Sequence, residues 1–154
     1  MALYQFIHLL GVVVWVGGMF FAYVVLRPAA VEILPPPERL RLWNSVFSRF
    51  FKWVWLAVFL LLASGFYMVH LFGGSFHAPG YVQLMLALGL VMLGVYLYVY
   101  FGQYMPFSRR VAQQDWKMAG EILTTIRKLV ALNLTLGLAT VAVAVLGRGV
   151  LPGA

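Results

Sequence analysis

Three histidines are the side chains of this sequence best suited to chemistry. The 154-residue chain contains His8, His70 and His77 and no cysteine. A neutral imidazole nitrogen is a common ligand of transition metals and of haem iron. His8 stands out because it lies within an apolar run, residues 2–26, that is long enough to cross a bilayer. An ionisable side chain at that depth is costly and generally faces the interior of a helix bundle, so we expect His8 to have a functional role.

His8 belongs to a stripe of residues that is unusual for a membrane segment. His8, Gly11, Trp15, Gly18 and Ala22 follow one another at intervals of three or four residues. On a helix this spacing places them on one face. The face carries an imidazole, an indole and small residues where lipid-facing leucine and valine are the ordinary choice. The pattern predicts that this face is directed toward the other helices.

The first interpretation of the histidines is a b-type haem. Taking the rise per residue of a helix, His8 lies roughly 8 Å and His70 roughly 3 Å inside the same end of two membrane spans. Antiparallel helices then allow the two imidazoles to face each other and to bind the haem iron from both sides. Gly11 and Gly18 would leave space for the flat macrocycle and Trp15 would form a wall of the site.

Two other interpretations stay open. The second is copper, because imidazole and thioether groups suit a soft or borderline ion, and the ligands would be His8, His70, Met68 and His77. The third is a structural membrane subunit without a cofactor, in which His8 is hydrogen-bonded inside the bundle and the other two histidines lie at the water interface. The absence of cysteine excludes disulfides, thiolate metal sites and iron–sulfur clusters on this chain.

The elements that position these residues are predicted to be four membrane-spanning helices. The sequence is 64% hydrophobic and 10% charged, whereas a soluble domain has about 25% charged residues. Apolar runs at about 3–26, 53–72, 81–104 and 127–147 each approach the ~20 residues that a helix needs to cross the hydrocarbon. We therefore predict an all-α, four-helix membrane bundle that forms a single domain over residues 1–154. The first run is expected to be a retained span rather than a cleaved signal.

The borders of these spans carry their own signals. Pro28 and Pro106 are predicted to end the first and third spans, because proline interrupts a helix. Residues 38–52 are amphipathic, with aromatic and leucine side chains on one face and basic residues interspersed. This segment is either an interfacial helix that lies on anionic headgroups or a simple extension of the second span.

The fourth span has a polar and small stripe of its own. Asn133, Gly137, Thr140, Ala144 and Gly147 recur at helical spacing, a pattern that is typical of close helix packing in lipid. Within it, Asn133 is the best candidate for an additional role. The glycine-lined faces of spans one and four would also suit a homodimer.

The distribution of charge predicts the orientation in the membrane. The formal net charge is +7, and ten of the eleven basic residues lie around the loops that join spans one to two and three to four. Only Arg148 lies at the opposite side. The positive-inside rule then places both termini and residues 73–80 outside the cytoplasm, in a multi-pass inner-membrane protein whose histidines face the outer side. We interpret the basic residues as topology signals and contacts with anionic lipid, and not as a nucleic-acid site.

Two segments resemble a known membrane family. The run His8-Leu-Leu-Gly11-Val-Val-Val-Trp15-Val-Gly17-Gly18 resembles the first helix of the CopD-like copper-resistance family, which shows histidine, then glycine, then Trp-x-Gly-Gly at this spacing. The residues Ser48-Arg49-Phe50, leading into a span that closes with Ala63-Ser64-Gly65, are similar to a later helix of those proteins. The resemblance implies a copper-handling membrane protein, although this chain is shorter than a full CopD chain.

A looser similarity reaches the HemJ protoporphyrinogen oxidases, small membrane bundles that hold haem on a histidine of the first helix. By that resemblance His8 would be the axial ligand, although span three lacks the lysine of that family. The leading hypothesis from the sequence is a membrane haem b protein for electron transfer or small redox chemistry, with a quinone or a periplasmic protein as partner. Copper binding or transport is the alternative, and a structural subunit is the second alternative. Whether the chain is an enzyme stays open.

Overall fold

Four long helices account for almost all of the chain. The computed structural model describes residues 2–74 and 77–150, with the side chains of the last helix up to Gly147, so the side chain of Arg148 lies outside this part. The helices are α1 (Ala2–Ile33), α2 (Pro36–Leu71), α3 (Gly80–Ala112) and α4 (Trp116–Val150). Each is long and apolar enough to cross a membrane, and the described residues contain no strand. The prediction of an all-α, four-helix membrane bundle is confirmed.

Pro28 does not end the first helix, and that prediction was wrong. α1 continues through the proline to Ile33. The turns just before it, Phe21–Leu26, are π-helical, and the N–H of Arg27 donates to the carbonyl oxygen of Ala22, five residues earlier. A proline disrupts a regular helix because it lacks an N–H and its ring meets the carbonyl four residues back. The wider π turn relieves that conflict, so the helix passes through.

The third helix also has π-helical turns before a proline, Pro106, which was likewise expected to end its span. The segment Tyr98–Tyr104 is π-helical, and the N–H of Met105 donates to the carbonyl oxygen of Tyr100. α3 then runs on to Ala112. In both helices the proline comes two residues after the last π-helical residue, which explains why a local sequence rule failed twice in the same way.

The amphipathic segment 38–52 is the first half of α2. The helix runs without interruption from Pro36 to Leu71, and Leu40, Trp43 and Phe47 on its apolar face are buried. The segment was expected to be either an interfacial helix or an extension of the second span, and the structure shows the extension. The apolar face packs onto the other helices instead of resting on lipid headgroups.

Glycines on α1 allow α2 to approach closely. A methyl group built at Gly11 would lie 2.7 Å from Cγ of Leu61 and 3.2 Å from the carbonyl oxygen of Ala57. Gly18 faces the ring of Phe50 in the same manner. Both glycines of the His8 stripe are therefore contact points between two helices of one chain.

Glycines on α4 have the corresponding role. A methyl group at Gly137 would lie 2.9 Å from a Val16 methyl, and one at Gly147 would lie 2.5 Å from Cβ of Tyr81. The small stripe of the fourth span thus packs against α1 and α3. A homodimer stays a prediction, but the glycine faces on which it rested are occupied within the chain.

The core is concentrated at one end of the bundle. The following residues are buried there: Trp15, Met19, Trp43, Phe47, Phe51, Val54, Tyr96, Val99, Phe107, Leu123 and Ile126. Few described residues are buried toward the other end. On α1 only Gly11 is buried before Trp15, and on α2 only Ser64 is buried after Val58. On α3 no residue is buried before Met92. The end that carries His8 has fewer buried residues, and we call it the less filled end.

Candidate functional site around His8

His8 is held by a polar contact between two helices. Its Nδ1 lies 3.0 Å from Oγ of Ser64 on α2. Ser64 is one of two buried polar side chains among the described residues, the other being Asn133. His8 itself is half-buried between α1 and α2. The prediction that the His8 face is directed toward other helices agrees with this placement.

The surroundings of Ser64 favour one tautomer of His8, the one in which Nδ1 carries the proton. The hydroxyl has one hydrogen and two carbonyl neighbours on its own helix, the oxygens of Leu60 at 2.5 Å and Leu61 at 3.3 Å. When the Ser64 hydrogen is donated to the Leu60 oxygen, Oγ is left to accept a hydrogen from Nδ1 of His8. Nε2 of His8 is then unprotonated and carries a lone pair.

This arrangement is the one that a metal-binding histidine uses. A ligating imidazole donates the hydrogen of its other ring nitrogen to a neighbouring acceptor, which fixes both the tautomer and the orientation of the ring. Ser64 supplies that acceptor here. The ring is also confined on its Cε1 side, because a methyl group at Gly65 would come within 3.4 Å of it. Glycine at this position leaves the imidazole room to lie against α2.

The register of α1 and α2 is fixed on both sides of His8. One turn toward the end of the bundle, the rings of Tyr4 and Tyr67 stack with centroids 4.0 Å apart. On the other side, Gly11 packs against Leu61. These contacts make Ser64, and not His70, the residue that lies opposite His8.

The structure does not bring the three histidines together. His70 is exposed and follows Ser64 by six residues, about 9 Å along the helix axis. His77 is exposed in the turn after α2, with its Cβ 3.8 Å from a methyl group built at Gly73. Met68 is half-buried on α2, one turn beyond Ser64. In the parts of the chain that are described, no three His, Asp or Glu side chains are grouped so as to hold a metal. The assignment of His70 as partner of His8 stays a prediction.

The face predicted to hold haem offers no slot for the macrocycle. Gly11 and Gly18 were expected to leave space for the cofactor. Leu61 occupies the space beside Gly11, and the ring of Phe50 occupies the space beside Gly18. Trp15, expected to wall the cofactor, is buried with its ring edge-on to that of Tyr96 at 5.8 Å. The small residues are used for helix packing, so these residues do not fit a haem, and haem b has no support in the structure.

A second polar feature lies deeper in the bundle, at Asn133. This residue of α4 is 4% exposed, and its Oδ1 has no hydrogen-bond partner. It lines a small, partly open cavity of about 20 Å³ together with Trp15, Met19 and Tyr96. A buried carbonyl oxygen without a partner is costly, and an additional role for Asn133 stays a prediction.

Comparison with protein families decides where the chain belongs. A family model described as Copper resistance protein D, CopD, matches residues 44–146, two thirds of the sequence. The chain belongs to the CopD family. The CopD match includes Ser64 and the similarity noted over residues 48–65, and it begins after the His8 to Gly18 run. No match was found among curated proteins or among solved structures. The similarity to HemJ proteins is not shown.

Sequence reasoning missed the role of Ser64 in this CopD-family protein. A serine in a membrane helix ordinarily bonds to its own backbone, as Ser64 also does with Leu60. The signal that was available is the small pair Ser64-Gly65 within an otherwise bulky apolar span. Its pairing with His8 depends on the register of two helices that are far apart in sequence, which no local pattern specifies.

Proposed function

We propose that this CopD-family protein binds copper through Nε2 of His8 and passes the ion into or across the membrane. The observation that carries the proposal is the contact between Nδ1 of His8 and Oγ of Ser64, at 3.0 Å. With Nδ1 as the donor, Nε2 has a free lone pair at the less filled end of the bundle. The copper-resistance family and a preset imidazole together favour copper over the haem hypothesis.

Met68 is the proposed second ligand. It follows Ser64 by four residues, so the two side chains lie on the same face of α2. Its thioether is half-buried, one turn closer to the end of the bundle than the His8–Ser64 contact. Thioether and imidazole groups together select Cu(I), a soft ion. Copper is in this account the cargo of the protein, held briefly between α1 and α2.

His70 and His77 are proposed to collect copper from the surrounding solution. Both are exposed, and they flank the turn that follows α2. In that turn the N–H of Gly73 donates to the carbonyl oxygen of His70 at 2.9 Å, and His77 lies against Gly73. Two exposed imidazoles at the same end as His8 provide a first contact for the ion before it reaches the partly buried pair.

The direction of movement follows from the predicted orientation. With the basic residues on the cytoplasmic side, the His8 end faces outward and copper is taken up from the outer face of an inner membrane. A quinone or periplasmic redox partner belonged to the haem hypothesis and has no role in this account.

Copper flux into proteoliposomes tests the proposal. The reconstituted full-length chain is mixed with external Cu(I), and a chromogenic chelator inside the vesicles reports its arrival. We expect a flux above that of protein-free vesicles, and a large reduction in His8→Ala and Met68→Leu. Met118→Leu, an exposed methionine at the opposite end of the bundle, is the matched control. A wild-type flux equal to that of empty vesicles, or an undiminished flux in His8→Ala, would overturn it.

A further inference from the structure

A groove at the basic end of the bundle combines two arginines with an apolar wall. It lies between α1, α2 and α4 and is partly open, with a cavity volume of about 20 Å³. The lining includes Arg27 and Arg127 together with Tyr23, Leu123, Ile126 and Val130. We call this the basic groove. It lies at the opposite end of the bundle from His8 and is independent of the proposed copper site.

The two arginines of the basic groove have no acidic partner. The guanidinium of Arg27 lies over the ring of Tyr23, 5.1 Å from its centroid. Arg127 donates one hydrogen bond, to the hydroxyl of Thr124 at 3.0 Å. Over the described residues the single ion pair is Arg110–Asp115, which is elsewhere. Arg39 adds a third positive charge that acts on Arg127.

Converging positive charges without a counter-ion are unfavourable in a partly buried site. The remaining guanidinium hydrogens of Arg27 and Arg127 are arranged in planar forks, which match the oxygens of a phosphate group. The adjoining wall of Leu123, Ile126 and Val130 gives a hydrocarbon chain a surface to lie on. A small free anion would use the charges and leave that wall uncovered.

We propose that the basic groove binds one anionic phospholipid, with its phosphate on Arg27 and Arg127 and an acyl chain along the apolar wall of α4. Basic pockets between membrane helices on the cytoplasmic side are suited to such lipids, and anionic lipids are abundant there. A zwitterionic lipid also carries a phosphate, but its choline group would meet the cluster of arginines. The site should therefore prefer phosphatidylglycerol to phosphatidylcholine.

Native mass spectrometry of the detergent-purified chain tests this proposal. The protein is equilibrated with equal amounts of phosphatidylglycerol and phosphatidylcholine that have the same acyl chains. We expect one phosphatidylglycerol retained with a preference of roughly 30-fold, since the two arginines near the headgroup contribute about 1 kcal/mol each. Glycerol phosphate, which has the headgroup chemistry without the chains, should not displace it. Displacement by glycerol phosphate, or no lipid preference in the wild type, would overturn the proposal.

Two double variants assign the site. Arg27→Gln/Arg127→Gln should lose the preference for phosphatidylglycerol. The control Arg49→Gln/Arg109→Gln makes the same change in net charge at two exposed arginines outside the groove and should keep it. Arg27→Lys/Arg127→Lys, which retains the charge and is the milder change, should keep a weaker preference. Equal loss in both glutamine variants, or none in the groove variant, would contradict the assignment.

Discussion

Nδ1 of His8 on α1 lies 3.0 Å from Oγ of Ser64 on α2, a residue 56 positions away in the sequence. The contact joins α1 to α2 near the less filled end of the bundle and orients the imidazole. With Nδ1 as the donor to Ser64, Nε2 is the nitrogen that is free to bind a metal. The proposed copper function depends on this pair.

Replacing Ser64 should weaken copper binding without removing a ligand. Ser64→Ala deletes the acceptor that orients His8, and loss of such a partner typically costs about 10- to 100-fold in metal affinity. Cu(I) affinity is measured by competition with a chromogenic chelator in detergent. Ser48→Ala is the control, because that hydroxyl is exposed and bonds to the backbone of Ser45. An unchanged affinity in Ser64→Ala would show that the hydrogen bond has no part in binding.

A pair of glycine substitutions tests the helix register beside the site. A methyl group at Gly11 would meet Cγ of Leu61 at 2.7 Å and the Ala57 carbonyl oxygen at 3.2 Å, whereas Gly17 has nothing within 4 Å. Gly11→Ala should therefore lower the unfolding free energy by about 1–3 kcal/mol through overpacking. Gly17→Ala should leave it unchanged or slightly raised. Unfolding is followed by circular dichroism during titration with SDS, and equal stability of the two variants would contradict the observed packing.

The haem and copper hypotheses predict different absorption spectra. Because the spaces at Gly11 and Gly18 are filled by α2, we expect protein purified from haem-replete cells to show no Soret band. The same protein should take up Cu(I) when it is supplied. A stoichiometric Soret band that disappears in His8→Ala would instead restore the haem hypothesis and would require the helices to separate at these glycines.

Asn133 gives a prediction about stability. Its buried Oδ1 has no partner, and an unpaired acceptor in the interior costs about 1–3 kcal/mol. Asn133→Leu should therefore raise the unfolding free energy, by about 1 kcal/mol or more. Thr135→Val, an exposed polar-to-apolar change on the same helix, serves as the control and should have little effect. A clear loss of stability in Asn133→Leu would indicate that the amide is hydrogen-bonded to a guest in the cavity.

Much of the fold could be predicted from the sequence, because long apolar runs in lipid have few alternatives to helices. The number of helices, the inward face of His8 and the packing role of Gly137 all follow from spacing. The ends of α1 and α3 could not be predicted in this way, because a π turn before Pro28 or Pro106 is a backbone adjustment without a local sequence signature. Rules for proline hold for regular helices, and these two helices are irregular where the proline occurs.

The candidate site was harder to predict than the fold. His8 and His70 lie near the same end of the bundle, and the rise per residue alone left them at similar depth. Their relation was determined by the register of α1 against α2, which depends on Gly11 meeting Leu61 and Tyr4 stacking on Tyr67. Such contacts depend on whether the side chains of one helix fit against those of the other. A single sequence shows that both partners exist, but it does not show that they meet.

A Cu(I) titration of the His8 variant tests the central claim most directly. The purified wild-type chain, His8→Ala and the control Gln5→Ala, a half-buried residue one turn away, are titrated against a competing chelator. We predict one Cu(I) per wild-type chain and an unchanged affinity in Gln5→Ala. His8→Ala should lose more than about 100-fold in Cu(I) affinity, because removing a ligand costs more than removing the residue that orients it. Cu(I) binding by His8→Ala with wild-type affinity and stoichiometry would contradict the account.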